Sequence, residues 1–356
     1  MTPKFHTLSV AEVRVETEDT VSILFHVPEA LTSDYKFLPG QYLTLRTEIN
    51  GKDTRRSYSI CAAPYENELR VAVKQVENGV FSTYANRVLK AGDKMDVMTP
   101  TGNFKLDADT KNEKSYALFA AGSGITPILS IAKTILKEEP NSDISVFYGN
   151  KGFNTIIFRE ELEAIKNLNM NDFRLVHILS RENLGNQIQK GRIDKEKCLN
   201  LHKAFMNGTK VDEVFICGPE SMIHAVKDAM EEVGVQKSNI HFELFTSPGE
   251  NKVVKKATAN DPNVNSNVHI ILDGEQIDIA LDSQGDNILD AAQKAGADLP
   301  FACKGGVCCT CKAKVLEGSA VMDVNYALEP DEVEAGYILT CQAHPTSEKL
   351  TVSFDD

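Results

Sequence analysis

Cys303, Cys308, Cys311 and Cys341 stand in a Cys-x4-Cys-x2-Cys run followed by a distant fourth cysteine. That is the ligand spacing of a plant-type [2Fe–2S] centre. Two irons bridged by sulfide require four soft thiolates, and one short loop can supply three of them only if its backbone bends tightly. Gly305 and Gly306 are expected to provide that bend, and the small or polar character of the loop (Lys304, Val307, Thr310) leaves backbone N–H groups free to point at sulfur. Cys309 could compete with Cys308, but only Cys308 preserves both the four-residue and the two-residue gap, so Cys309 reads as a spectator packed behind the loop. A zinc ribbon would want two similar Cys-x2-Cys knuckles, whereas the second half here is the lone Cys341. A disulfide framework is disfavoured because nothing marks the chain as secreted. The pattern points to an electron-transfer protein.

At 356 residues the chain is too long for one core and should divide into two or three domains. Its 42% hydrophobic and 25% charged content is that of an ordinary globular protein. The first residues carry no apolar signal segment and are already polar at Glu12, Arg14 and Glu16, which implies a cytoplasmic location. The uncharged stretch from Ser115 to Ala132 is broken by Gly122, Gly124 and Pro127, and so reads as a buried strand, loop and helix rather than a membrane span. The net charge is −13, and residues 268–356, with 16 acidic and 5 basic side chains, account for −11 of it. Nucleic-acid binding would need a basic face, and this balance argues against it. The acidity of the cysteine-bearing segment fits either a docking face for a basic partner or the solubility of a small domain.

Residues 1–108 read as short strands. Val21, Ile23 and Phe25 alternate with polar neighbours; Tyr42, Thr44 and Arg46 oppose Leu43 and Leu45; Leu69, Val71 and Val73 alternate with Arg70, Ala72 and Lys74. With turns at Pro39-Gly40, Asn50-Gly51, Asn78-Gly79, Ala91-Gly92 and Thr101-Gly102, and one helical insert at Ser82 to Leu89, this predicts a closed or nearly closed antiparallel barrel. Over residues 112–245 the period changes. Apolar runs at 116–121, 144–148, 175–179, 214–217 and 240–244 alternate with helical stretches at 127–137, 158–167 and 220–233, the pattern of a parallel sheet flanked by helices. Residues 246–267 are polar and read as a linker, and 268–356 form the cysteine-bearing domain, with a helix expected near Leu289 to Ala295.

Three runs carry further chemistry. Arg56, Ser57, Tyr58 and Ser59 end a strand, where alternation sets Arg56 and Tyr58 on one face; a guanidinium there can hold a pyrophosphate while a phenol ring stacks on an isoalloxazine, with Ser59 as a hydrogen-bond donor. Gly79-Val80-Phe81-Ser82 opens a helix, a setting for phosphate at a hydroxyl and free N–H groups. An apolar strand runs into Gly122-Ser123-Gly124-Ile125-Thr126-Pro127, and another into Cys217-Gly218-Pro219; both loops should lie at the carboxyl edge of the sheet, where open α/β sheets bind ligands. Pro127 stands where the third glycine of a Gly-x-Gly-x-x-Gly fingerprint would be, so this is a different dinucleotide loop.

Taken together these runs resemble the ferredoxin–NADP reductase superfamily over residues 5–245. The resemblance implies a multidomain protein: an antiparallel β-barrel FAD domain, an α/β parallel-sheet NAD(P) domain and an α+β, β-grasp-like [2Fe–2S] ferredoxin domain. It implies that Arg56, Tyr58, Ser59, Val73, Lys74, Gly79 and Ser82 hold FAD, that Gly122, Gly124, Thr126, Cys217, Gly218 and Pro219 receive the nicotinamide dinucleotide, and that Ser59, Thr126 and Cys217 lie at the reacting atoms. His241 to Phe245, with Glu243, is similar to the stretch that closes over the flavin in that superfamily. Ser180 and Arg181 follow the third strand of the sheet and would hydrogen-bond and neutralise a 2′-phosphate, favouring NADPH, with NADH left open; the alternative is a capping serine beside a solvated arginine.

The order of modules resembles the reductases of multicomponent oxygenases. The runs Gly191-Arg192-Ile193-Asp194, Cys303 to Cys308, Leu328 to Glu332 and Gly336-Tyr337 resemble most the reductases of phenylacetyl-CoA epoxidases, from which the extra cysteine at 309 departs. The implied activity is hydride transfer from NADPH to FAD, one-electron transfer to the cluster, and delivery to a partner oxygenase of the di-iron type; the chain has no Glu-x-x-His helical pairs for that oxygen chemistry itself. Other acceptors stay open: a steroid or aromatic-ring hydroxylase, a desaturase or a hybrid-cluster protein. A redox carrier or sensor without turnover, and a zinc-binding interaction module, are the rivals of another kind.

Overall fold

The computed structural model describes residues 4–206, 209–245 and 264–355. The first domain is a six-stranded antiparallel sheet of β1 (Phe5–Thr17), β2 (Thr20–His26), β3 (Tyr42–Ile49), β4 (Lys52–Ser59), β5 (Leu69–Lys74) and β6 (Lys94–Met98), in the order β4-β3-β6-β1-β2-β5. A single bridge between Ile60 and Val71 joins the outer edges, so the barrel is nearly closed, as its strand pattern predicts. Every second residue points inward: Ile23, Phe25, Leu43, Leu45, Val71 and Val73 share one core. Helix α1 (Val80–Arg87) plugs this core with Phe81 and Ala85.

The second domain is a parallel sheet of β7 (Ser115–Ala121), β8 (Asp143–Asn150), β9 (Phe173–Leu179), β10 (Glu213–Gly218) and β11 (Ile240–Leu244), ordered β11-β10-β7-β8-β9. Helices α2 (Ile125–Glu138) and α3 (Arg159–Leu168) cover one face; α4 (Lys195–Phe205) and α5 (Glu220–Glu232) cover the other. Burial on both faces explains the unbroken apolar runs of the central strands. Helix α4 is an element that the periodicity leaves unmarked. Its start is set by Asp194, whose carboxylate accepts from the Lys197 N–H at 2.8 Å. The chain departs from β7 to β8 on one side and, later, to β10 on the other, so the loops after β7 and β10 meet at the carboxyl edge.

The third domain is a mixed sheet of β12 (Asn265–Leu272), β13 (Glu275–Asp282), β14 (Lys312–Glu317), β16 (Tyr337–Leu339) and β18 (Lys349–Ser353), ordered β13-β12-β18-β14-β16, with a two-stranded annex of β15 (Ala320–Met322) and β17 (Ala343–Pro345). Helix α6 (Ile288–Lys294) packs Ile288, Leu289 and Ala292 into its core, and the short α7 (Pro330–Glu334) lies near the cysteine loop. Strand β12 begins three residues before the expected boundary at Val268; the expected linker through residue 263 lies outside the described residues. Among the described residues no helix is long and apolar enough to cross a membrane.

Candidate functional site

The pairing of β3 with β4 sorts the site residues by side. Leu43 faces Tyr58 and Leu45 faces Arg56, while Tyr42 faces Ser59, Thr44 faces Ser57 and Arg46 faces Arg55. Cross-strand partners share a face. Arg56 and Tyr58 therefore share the side of Leu43 and Leu45, and Tyr42, Thr44, Arg46, Arg55, Ser57 and Ser59 share the other.

At the end of these strands lies a cavity of about 420 Å³ walled by all three domains. The barrel contributes Tyr42, Arg56, Tyr58, Ser59, Lys74, Gly79 and Ser82; the second domain Ser123, Thr126 and Glu243; the third Cys303, Gly305 and Cys308. The donor set suits a flavin nucleotide. Among the described residues the Arg56 guanidinium has one hydrogen bond, to the Arg55 carbonyl, which leaves its other N–H groups for a pyrophosphate. Gly79 is required where it stands, because a Cβ there would fall 2.3 Å from the Ser82 Oγ. The Ser82 hydroxyl is engaged in that turn, accepting from the Val76 N–H and donating to the Gly79 carbonyl. Val73 is off the cavity wall: its side chain is fully buried in the barrel core, and only its neighbour Lys74 reaches the cavity.

The Ser59 hydroxyl donates to Glu243 Oε2 at 2.9 Å. Ser59 is thus already engaged, and any donor role toward a flavin involves the pair. Burial pushes the Glu243 carboxyl up to about 7, with the Ser59 hydrogen bond pulling the other way. Cys217 pairs with Glu243 across β10 and β11 and is fully buried; burial first, then the charge of Glu243, holds its thiol well above the usual range. The thiol is accordingly held in its neutral form.

Gly122, Gly124 and Thr126 form the loop after β7, packed on the loop after β10. A Cβ on Gly124 would fall 2.2 Å from the Cys217 carbonyl oxygen, and one on Gly218 would meet Met222 at 2.6 Å and Ala121 at 3.2 Å. Gly122 has φ +55° and its carbonyl accepts from the Tyr148 hydroxyl. Pro219 stands exposed at the start of α5, at the same edge. Ser180 and Arg181 follow β9: the Ser180 hydroxyl donates to the Asn150 carbonyl, and the exposed Arg181 guanidinium has no hydrogen-bond or ion-pair partner among the described residues. Of these, only Thr126 walls the cavity; the rest stand at the carboxyl ends of β7, β9 and β10.

Three of the four cysteines singled out by spacing, Cys308, Cys311 and Cys341, are buried, and Cys303 is half-buried. Their thiols perturb one another: Cys308 and Cys341 lower the pKa of Cys303, and Cys303 and Cys311 raise that of Cys341. A two-iron cluster takes two thiolates per iron. No group of three or more His, Cys, Asp or Glu side chains among the described residues is arranged around a single ion. The Gly305 N–H points at the Cys303 sulfur at 3.3 Å. The backbone bend falls on Lys304 (φ 51°) and Gly306 (φ 73°), with Gly305 on the negative side. Cys309 turns away, its thiol donating to the Ala327 carbonyl.

Family models match in the same order as these units. An oxidoreductase FAD-binding domain matches residues 7–106, an oxidoreductase NAD-binding domain residues 118–228, and a 2Fe-2S iron-sulfur cluster binding domain residues 270–346. A component of the 1,2-phenylacetyl-CoA epoxidase of Escherichia coli K12 is 42% identical over 351 residues, covering 99% of this chain and 98% of the relative. The chain belongs to the ferredoxin–NADP reductase superfamily, in its iron–sulfur-fused oxygenase-reductase branch. The ferredoxin reductase component of 3-ketosteroid-9-alpha-monooxygenase from Rhodococcus rhodochrous is 32% identical, covering 98% and 96% of the two chains. Phthalate dioxygenase reductase shares the fold over 98% of both chains, with a TM-score of 0.59 and 23% identity. The protein is an oxidoreductase that binds FAD, a pyridine nucleotide and a [2Fe–2S] cluster, and works as the reductase component of an oxygenase system.

In this reductase the ferredoxin domain is seated on the outer face of β3 and β4. Arg55, with a side chain 4% exposed, donates to Asp298 at 2.7 Å and to Asp53 at 2.8 Å, and its guanidinium lies 4.2 Å from the centre of the Phe301 ring. Asn103 donates to Glu332 at 2.7 Å. Tyr42 meets Thr310 and Cys309. The motifs did not mark Tyr42 or Arg55, since neither is part of a local signature, and Ser123 was passed over inside its own loop motif; the polar alternation of Tyr42, Thr44 and Arg46 opposite a barrel core was the available signal that this face is covered.

Proposed function

We propose that this reductase takes hydride from NADPH and feeds a di-iron oxygenase that epoxidises the ring of phenylacetyl-CoA. The observation that carries the electron route is the single cavity in which Arg56, Tyr58 and Ser59, Thr126, and the ligands Cys303 and Cys308 face one another. Full-length likeness to the phenylacetyl-CoA epoxidase component supports the acceptor, and the unpaired Arg181 beside Ser180 supports NADPH. The reading carries a cytoplasmic location, where NADPH and acyl-CoA substrates are met.

When bound, the flavin converts two-electron hydride chemistry into the one-electron steps a cluster accepts. Arg56 would hold its pyrophosphate and Tyr58 would pack on its ring system. Thr126, fixed by donation to the Ser123 carbonyl, would orient the nicotinamide end of the donor. Glu243, close to half-protonated at neutral pH, can hold or release a proton at Oε2 next to the Ser59 hydroxyl. The Gly124 contact with the Cys217 carbonyl keeps the two nucleotide loops together.

The test is reconstitution. Purified holoprotein with NADPH and a phenylacetyl-CoA oxygenase should consume phenylacetyl-CoA, and should do so faster than with a steroid oxygenase. Coupling only to the steroid system would overturn the assigned acceptor and leave the reductase chemistry standing.

A further inference from the structure

Tyr42 is the first residue of β3, 4% exposed, and it stands between the two redox sites. Its ring lines the flavin-facing cavity on one side and packs with Ala302 and the ligand Cys308 on the other. Its hydroxyl accepts from the Cys309 N–H at 3.1 Å and shares a hydrogen bond with the Thr310 hydroxyl at 3.2 Å. Thr310 is in turn 3.4 Å from the Thr44 hydroxyl, on the same face of the same strand as Tyr42. The ring is held from behind as well. A Cβ on Gly102 would fall 3.1–3.2 Å from the Tyr42 ring edge, and the backbone N–H of Tyr42 donates to the Thr101 carbonyl.

A phenol ring at such a place is a choice with consequences. Burying its hydroxyl is costly unless it is satisfied, and here the satisfying groups all come from the ferredoxin loop, so undocking that loop would strand a buried polar group. The Cys309 amide directly follows ligand Cys308, so the hydrogen bond ties the barrel to the cluster loop beside a ligand sulfur. The contact therefore sets both the distance and the orientation between the cavity and Cys308.

We propose that Tyr42 is the positioning residue for internal electron transfer, docking the Cys308–Thr310 turn against the flavin cavity. This rests on the FAD-to-cluster order given above and adds the residue that governs its rate. Each neutral hydrogen bond lost from the docked state is expected to lower the docking equilibrium constant about fivefold.

The experiment uses the full-length holoprotein in anaerobic stopped flow, following flavin reduction by NADPH and cluster reduction separately, alongside amide exchange of the 303–312 segment without NADPH. Thr310→Val, outside the cavity, should leave flavin reduction at the wild-type rate, slow cluster reduction about fivefold, and raise exchange of the segment by a similar factor. Tyr42→Phe should lower the ratio of cluster to flavin reduction rates about tenfold or more, because both hydrogen bonds go while the ring remains. Wild-type ratios and unchanged exchange in both variants would overturn the proposal. A wild-type protein that reduces its flavin and never its cluster would overturn the electron order itself, which the wild-type trace reports independently of the variants.

Discussion

Ser59 and Glu243, 184 positions apart in the chain, are joined by a 2.9 Å hydrogen bond that crosses from the flavin barrel to the last strand of the nucleotide domain. The bond couples the position of the nucleotide sheet to the end of β4 and puts a carboxyl with a raised pKa into the wall of the redox cavity.

That carboxyl should be visible in the pH dependence of stability. Glu243 is raised from 4.5 to about 7, so between those values the folded chain holds a proton that the unfolded chain has released. Its contribution is full below pH 4.5 and falls as pH climbs to about 7. Melting temperatures of the wild type, measured relative to Glu243→Gln, should decline by a few degrees over that window and level off above it. Parallel curves would mean the group titrates normally.

Gly124→Ala should cost about 1–3 kcal/mol and weaken pyridine nucleotide binding, because its Cβ meets a backbone carbonyl at 2.2 Å that has no freedom to retreat. Gly122→Ala meets open space and pays only for its φ of +55°, about 1 kcal/mol. Denaturant titration with parallel nucleotide binding measures both; equal effects would contradict the packing assigned to Gly124.

Arg55→Ala should destabilise the ferredoxin dock by about 1–2 kcal/mol, through the lost packing of its guanidinium on Phe301 and the lost hydrogen bond to Asp298; Asp53 lies on the same strand, and both carboxylates left behind reach water. Asp298→Asn should cost less than about 1 kcal/mol, because Asp298 is 70% exposed. Small-angle scattering of the two variants in rising salt distinguishes them: only the first should expand readily.

Arg181→Ala should raise the Kd for NADPH about ten- to a hundredfold, the value of one charge-assisted hydrogen bond to phosphate, and leave NADH within about twofold. Equal losses for both nucleotides would refute the 2′-phosphate assignment.

Cys341→Ser should abolish the cluster and retain the flavin, whereas Cys309→Ser should keep both, because the Cys309 thiol bonds to the Ala327 carbonyl, away from the four cysteines singled out by spacing. Absorption and iron analysis of protein made under iron-replete conditions decide it; loss of iron in the Cys309 variant would reverse the choice between neighbouring cysteines.

Much of this was readable along the chain because the information is local. Alternation in β2, β3 and β5 exposed the barrel, since a strand half-buried against a core must repeat every two residues. The five apolar runs became the five parallel strands because a sheet covered on both sides tolerates no polar face. Cysteine spacing identified the cluster loop, as ligand geometry leaves few alternatives. Helix α4 escaped notice because its apolar side is carried by few residues, Cys198 and Leu201 among them, and its start rests on a single capping aspartate.

Residue types and intervals were enough to determine three modules, their order and the chemistry of each, because cofactors demand particular donors at particular spacings. How the modules meet was decided only in three dimensions. Tyr42 and Thr310 are 268 positions apart and belong to no common motif; Arg55 finds Asp298 243 positions away. Contacts of that range depend on which face each strand turns outward once every other element is packed, and no short stretch of sequence contains that information.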